Sequence, residues 1–167
     1  MGNKIKTREE IIKICDDLRK AGKTIVTING GFDLFHYGHV LFLEEAKRQG
    51  DILIVGVNTD ESVRKWKKHL NYGDWQKRPI NSYQARAGTL AALEYVDYVT
   101  TINEEDCLNF VDDLKPDVHV NGSDYGEDCI EAQKVKKFGG KLHIVKIVEG
   151  YSTSELLKKV VEVYKET

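Results

Sequence analysis

Long apolar runs are missing from this sequence, and so is any excess of charge of one sign. No stretch approaches the roughly 20 residues needed to span a bilayer. The run Ile52-Leu53-Ile54-Val55-Gly56-Val57 has instead the length of a strand covered on both faces. The opening Met1-Gly2-Asn3-Lys4-Ile5-Lys6 lacks the apolar core of a secretion signal, and lysine at position 6 breaks the myristoylation pattern. With 25 Lys and Arg against 27 Asp and Glu, the formal charge is −2. No bulk field therefore draws nucleic acid or an anionic membrane, and a phosphate site must be local. Cysteine is scarce as well. Cys15, Cys107 and Cys129 are widely spaced without a paired motif, which fits reduced thiols in a cytoplasmic protein better than disulfides or a zinc site. Internal repeats and low-complexity tracts are absent. What is left is an ordinary globular balance, 41% hydrophobic and 31% charged, over a length that suits one domain, 1–167, with one core.

Strand-like and helix-like patterns alternate along the chain. Thr7-Arg8-Glu9-Glu10 has capping-box spacing before an amphipathic N-terminal helix within 1–22. Ile11, Ile12, Cys15 and Leu18 fall on its apolar face, and Gly22 ends it. Strands are expected near Thr24–Ile28, Ile52–Val57, Val96–Thr100, Asp117–Asn121 and Leu142–Lys146. Helices are expected after His39, from Glu61 to Trp66, after Ser82, from Glu104 to Leu114, from Cys129 to Phe138 and after Ser152. Residues 66–79, basic and aromatic with Gly73 in the middle, read as an inserted mobile loop. The alternation predicts an α/β fold, a Rossmann-like doubly wound parallel sheet of about five strands. Ligands in such sheets sit beyond the carboxyl ends of the strands. The turn at Gly30, the loop at Asn58, the loop at Asn121 and the cap at Ser152 all fall at such ends.

The most informative stretch is Asn29-Gly30-Gly31-Phe32-Asp33-Leu34-Phe35-His36-Tyr37-Gly38-His39. It runs from a strand through a glycine-bearing turn to a helix N-terminus, where backbone N–H groups and the helix dipole hold phosphate. His36 and His39 sit at that junction. Transfer at phosphorus builds charge on equatorial oxygens, and fixed donors aimed there lower the barrier. Gly38 lets the backbone approach a triphosphate. The alternatives are incidental histidines or metal ligands; neither an i, i+4 pair nor a nearby third ligand supports a metal set.

These residues resemble the nucleotidyltransferase superfamily that shares an H-x-G-H motif. Within it the chain is similar to the adenylyltransferase domain for D-glycero-β-D-manno-heptose 1-phosphate. The likeness runs from Thr24 to Val161 and includes Gly56-Val57-Asn58-Thr59-Asp60, Arg78-Pro79-Ile80-Asn81, Leu90-Ala91-Ala92-Leu93, Val96-Asp97-Tyr98-Val99 and Gly150-Tyr151-Ser152-Thr153-Ser154. The resemblance implies attack of a sugar-phosphate oxygen on the α-phosphate of ATP, release of pyrophosphate, Mg²⁺ carried mainly by the triphosphate, and no covalent enzyme intermediate. By carry-over, His36 and His39 stabilise the pentacoordinate transition state, and Lys65 and Arg86 reach phosphate. Asn29, Gly30, Gly31, Phe32, Gly38, Asn121, Gly122, Asp124, Ser152, Thr153 and Ser154 form the nucleotide side. Asp33, Asn58, Lys68, Trp75 and Arg78 form the acceptor side.

Each carried-over position also has a plainer reading. Lys65 fits a solvated helix face, Arg86 a surface helix arginine, Asn121–Tyr125 a turn, and Ser152 with Glu155 a helix cap. Asn121 stands where the family often has lysine, and Ser123 where it has glycine. The 66–79 connection is longer than usual in the heptose enzymes; its aromatics and lysines suit a lid over base or sugar, or else a subunit contact. The implied partners are a nucleotide, a sugar or polyol phosphate, further copies of the chain and a separate sugar kinase. A cytidylyltransferase using CTP and glycerol 3-phosphate or another phospho-polyol is the nearest rival. A non-catalytic nucleotide-binding module would not need both histidines, and a tRNA-synthetase-like domain would need more length and a basic surface.

Overall fold

The computed structural model describes residues 3–126, 128–146, 148 and 150–165. Helices α1 (Arg8–Lys20), α2 (Tyr37–Lys47), α3 (Asp60–His69), α4 (Tyr83–Ala91), α5 (Leu108–Leu114), α6 (Ile130–Lys137) and α7 (Thr153–Tyr164) alternate with strands. The strands are β1 (Ile25–Gly30), β2 (Ile52–Asn58), β3 (Tyr98–Ile102), β4 (Val118–Gly122) and β5 (Lys141–Val145). They form one parallel sheet in the order β3-β2-β1-β4-β5. The chain winds outward from β1 to one edge, then returns to place β4 on its other side. The crevice where the winding reverses, at the carboxyl ends of β1 and β4, is where such a sheet binds ligands.

Strand periodicity separates two cores. Val26, Ile28, Leu53, Val55, Val57, Val99, Val118 and Val120 pack with Leu43 and Ala46 of α2 and with Ala87, Leu90 and Ala91 of α4. Ile25 and Ile54 point the other way, toward Ile11 and Cys15 of α1, Phe110, Val111 and Leu114 of α5, and Val135 of α6. The capping box at Thr7 forms as expected, with Thr7 accepting from the Glu10 N–H and Glu10 accepting from the Thr7 N–H. Cys15 and Cys107 are buried, Cys129 is half-buried, and all three are free thiols.

Several elements differ from expectation. Helix α3 continues through Lys67, Lys68 and His69, whose basic side chains complement the dipole in its last turn, so the start of the expected 66–79 loop is helical. Within that segment Trp75–Lys77 is a 3-10 turn. Helix α5 starts at Leu108 rather than Glu104, with the Asp106 carboxylate taking the Leu108 N–H at 2.9 Å. Strand β3 starts at Tyr98, because the Asp97 carboxylate is occupied by the Leu53 N–H at 2.7 Å and Lys47 Nζ at 2.5 Å. Helix α7 has no buried residue; its apolar Leu156, Val160 and Val161 are 39%, 45% and 47% exposed.

Gly56 lies where α5 presses closest on the sheet. A Cβ there would sit 2.6 Å from Ile102 Cδ1 and 3.1 Å from the Phe110 ring. Gly56→Ala is expected to cost about 1–3 kcal/mol by overpacking, read as a lower urea midpoint at unchanged m. An unchanged midpoint would show that Ile102 swings aside freely.

Candidate active site

A cavity of about 300 Å³ opens at the switch point between β1 and β4. Its walls come from the end of β1, the first turn of α2, the end of β4, the end of β5 and the start of α7. Of the residues expected around a nucleotide, Asn29, Gly30, Gly31, Phe32, Gly38, Asn121, Gly122, Asp124, Ser152 and Thr153 all line it, together with His36 and His39. Ser154, one residue further into α7, does not.

The two imidazoles stack at a centroid distance of 3.8 Å and 22° between planes. His39 is further packed by Phe35 and Phe32, each with its ring centroid 5.3 Å away. This apolar surround removes hydration from the ring. Burial, with His36 as a secondary like-charge cause, pushes the His39 pKa down to about 4; burial also lowers that of His36. His39 is therefore neutral at physiological pH. Its Nδ1 accepts the His36 backbone N–H at 3.3 Å, which leaves the ring proton on Nε2 as a donor. His36 caps α2, and its Nδ1 is buried without a protein partner. The first N–H groups of any α-helix also lack intrahelical acceptors. The junction is thus a cluster of neutral donors plus the positive end of a helix dipole, a set suited to phosphate oxygens.

Gly38 has a firmer reason than room for a ligand. A Cβ there would lie 2.5 Å from the Tyr151 carbonyl oxygen and 3.1 Å from the His36 ring. The α2 N-terminus and the loop before α7 meet backbone to backbone at this point. Tyr151 also packs edge-on against Tyr37 at 5.2 Å.

The remaining expected residues lie elsewhere. Arg86, rather than facing the cavity, is turned inward at 2% exposure. Its guanidinium donates to Asp60 at 2.7 Å, to the Gly31 carbonyl at 2.5 Å and to the Asn81 carbonyl at 3.0 Å. Asp33 accepts from Arg78 at 3.1 Å and from the backbone N–H groups of Ile80 and Asn81 at 2.8 and 2.9 Å. Arg86, Asp33 and Arg78 therefore hold the Gly31–Asp33 turn, where Phe32 adopts a left-handed φ of 49°. Lys65 is exposed and paired with Glu61 at 2.8 Å, four residues back on the same helix. Lys68 lies over the Trp75 ring at 5.3 Å, and neither lines the cavity. Asn58 borders a second, smaller cavity and donates to Ser62 Oγ at 2.8 Å.

Residues not anticipated also line the main cavity. Lys146, Tyr125, Val148 and Tyr151 do so. Lys146 follows directly on β5, so the strand-end rule that located Asn58 and Asn121 also reaches it. Among the described lining residues it is the one lysine or arginine.

The chain is similar to known proteins over nearly its whole length. The cytidylyltransferase-like family profile matches residues 27–164. "Bifunctional protein HldE" of Syntrophotalea carbinolica is 37% identical over 98% of this chain and 32% of its own length. The protein of that name from Aliarcobacter butzleri is 43% identical over 95% of this chain and 31% of its own. The chain thus spans about a third of the length of the curated relatives it matches. Among solved structures, a lipopolysaccharide core biosynthesis protein from Thermoplasma volcanium superposes with a TM-score of 0.57 at 31% identity, over 76% of this chain and 98% of that one. A pantoate-beta-alanine ligase from Francisella tularensis shares the fold, with a TM-score of 0.61 at 19% identity over 85% of this chain and 66% of that one.

Three measurements test this geometry. The pKa of His39, and that of buried His119, lie near 4 in the folded chain against an ordinary 6.5. Between those values the unfolded chain binds more protons, so their stabilisation is complete above pH 6.5 and is lost as pH falls toward 4. The thermal midpoint should fall over that window, and the His39 Cε1–H resonance should stay flat down to about pH 5.5. A His39 titration centred near its ordinary value would contradict the packing described. Arg86→Ala should cost about 3 kcal/mol, the low end for a broken buried pair because Asp60 keeps some hydration. Loss of activity at unchanged stability would instead mark Arg86 as a phosphate ligand.

Proposed function

The chain belongs to the cytidylyltransferase-like family, and from that membership we propose that it is an adenylyltransferase acting on a sugar 1-phosphate. The acceptor proposed is D-glycero-β-D-manno-heptose 1-phosphate. The acceptor phosphate oxygen attacks the α-phosphorus of ATP, the bond from that phosphorus to the β-phosphate oxygen breaks, and pyrophosphate leaves. The observation that carries this reading is the stacked pair His36 and His39 at the mouth of α2. The Nε2–H of neutral His39 donates to an oxygen of the pentacoordinate phosphorus, and fixed donors of this kind act where charge develops. The α2 N-terminus adds the helix dipole, and Lys146 a cation at the rim. Ser152 caps α7 through its Oγ, accepting the Glu155 N–H at 3.2 Å, so the hydroxyl of Thr153 is the freer donor to phosphate.

Arg86, Asp33 and Arg78 serve this chemistry at one remove, as positioning residues that set the turn carrying Gly31 and Phe32. The donor set also suits Mg²⁺ carried by the nucleotide. Asp124 is the one carboxylate lining the cavity, and no three metal-ligating side chains converge among the described residues. Mg²⁺ commonly takes one or two carboxylates, substrate phosphates and water; Asp124 would be its protein contact, and the ion would supply charge neutralisation at the phosphates. The sugar 1-phosphate itself implies a kinase acting beforehand. The curated relatives are named bifunctional, and roughly two thirds of their length lies outside the match.

Pyrophosphate release, screened with four nucleoside triphosphates against sugar and polyol phosphates, tests the proposal. ATP with the heptose 1-phosphate should be the fastest pair, and His39→Ala should slow it by about 10²–10³ while the chain stays folded. Fastest turnover with CTP and glycerol 3-phosphate would overturn the substrate assignment; a His39→Ala variant of near-normal rate would overturn the mechanism.

A further inference from the structure

A second cavity, about 80 Å³, lies on the α5 and α6 side of the same rim. Asn29, Gly30 and Gly31 line both cavities, so the end of β1 is the wall between them. The chemistry of the two is opposite. The larger has neutral imidazoles, Lys146 and a single carboxylate, Asp124; the smaller has three carboxylates, Glu105, Asp106 and Glu131, with Asn58 and the Trp66 indole, and no lysine or arginine among its described lining. Carboxylates at such range repel a phosphate, so this pocket takes a neutral, polar group.

Two buried hydrogen-bond acceptors here, Oε2 of Glu131 and Oδ1 of Asn29, lack a protein donor in full hydrogen-bond geometry, although the Cys129 thiol and buried His119, whose Nε2 is also unpartnered, lie close to Glu131. Glu131 is 4% exposed. Its other oxygen, Oε1, accepts the Cys107 thiol at 2.8 Å, and burial together with Glu131 raises the pKa of that thiol so that it stays a donor. A buried carboxylate oxygen without a donor is costly, and it is matched by a ligand rich in O–H groups. The sheet beneath supports this. Its face toward α5 is apolar at Ile25 and Ile54, then changes to Thr27, His119, Asn29, Asn58 and Asn121 as the strands near the rim. Trp66 adds a flat apolar surface of the kind that C–H faces of sugars pack on.

We infer that the smaller cavity seats the hydroxyl-bearing carbon skeleton of the acceptor, read by Glu131 Oε2 and Asn29 Oδ1, and that Glu131 is a specificity-determining residue. This rests on the nucleotidyl-transfer reading above. The acceptor bridges the wall at Gly30 and Gly31, its phosphate on the imidazole side and its hydroxyls on the carboxylate side.

Calorimetric titration of the full chain with D-glycero-β-D-manno-heptose 1-phosphate, mannose 1-phosphate, glycerol 3-phosphate and ATP tests it. Wild type should bind both sugar phosphates more tightly than glycerol 3-phosphate. Glu131→Gln should weaken the sugar phosphates by about 10–100-fold, as expected for a hydrogen bond to a charged group, and leave ATP within about twofold. Equal affinities in variant and wild type, or no sugar-phosphate binding by wild type, would overturn the inference. Should Glu131→Gln lower the thermal midpoint sharply, deoxy analogues of the sugar phosphates on wild type replace it. At least one missing hydroxyl should then cost about tenfold, and indifference to every hydroxyl would overturn the inference. Failure of the transfer reading looks different: sugar binding that depends on Glu131, with no pyrophosphate released from any pair.

Discussion

The site depends on a turn that is held from outside itself. Between β1 and α2 the backbone passes through a left-handed Phe32, a conformation disfavoured for a residue with a side chain. It persists because the flanking groups are tied to another part of the chain. The Gly31 carbonyl is bound by Arg86, and the Asp33 carboxylate is bound by Arg78 and two backbone N–H groups of the segment before α4. The Arg86 anchor is buried, so its hydrogen bonds compete little with water, whereas the Asp33 anchor is only partly covered. The turn fixes where α2 begins, and the start of α2 fixes both imidazoles.

Electrostatics at that point work by neutrality rather than by net positive charge. A chain of formal charge −2 has no bulk attraction for a triphosphate. The cavity instead presents uncharged donors: His39, its hydration removed between Phe32, Phe35 and His36, and the first N–H groups of α2. The His39 tautomer is set in advance by a backbone N–H, so the ring is already oriented as an Nε2–H donor. The close approach of Gly38 to the Tyr151 carbonyl brings the α7 side of the cavity to the same place.

Much of this was legible in the residues alone, and what was not has a physical reason. Strand–helix alternation and capping signals such as Thr7 and Ser82 mark elements through local chemistry, so sheet type and the rim of motifs could be read directly. The H-x-G-H spacing marks the junction because two imidazoles three residues apart share one helix turn. The surroundings of single side chains are tertiary facts. Nothing local to Arg86 says whether its guanidinium meets a ligand or the Gly31 carbonyl, whereas Lys65 has its partner Glu61 one helix turn away, a pair readable from local spacing. Helix α3 ran past Trp66 for a related reason. Its last turn is basic and aromatic, which reads as loop composition, yet those charges are favourable at a helix C-terminus.

Glu131 shows the same limit most clearly. In sequence it is one acidic residue in the first turn of a helix rich in lysine, a position where a carboxylate is expected for the dipole alone. The fold instead brings it to the cavity that Asn29 also lines and against Cys107, where solvent no longer satisfies it. A helix needing only dipole compensation is served by an exposed glutamate, which keeps its hydration. Burying the same carboxylate with one oxygen unmatched is a cost that helix stability does not offset. The inferred ligand would offset that cost by bringing the missing donors, and because Asn29, Gly30 and Gly31 line both cavities, a molecule reaching from the imidazole pair to Glu131 must cross the end of β1.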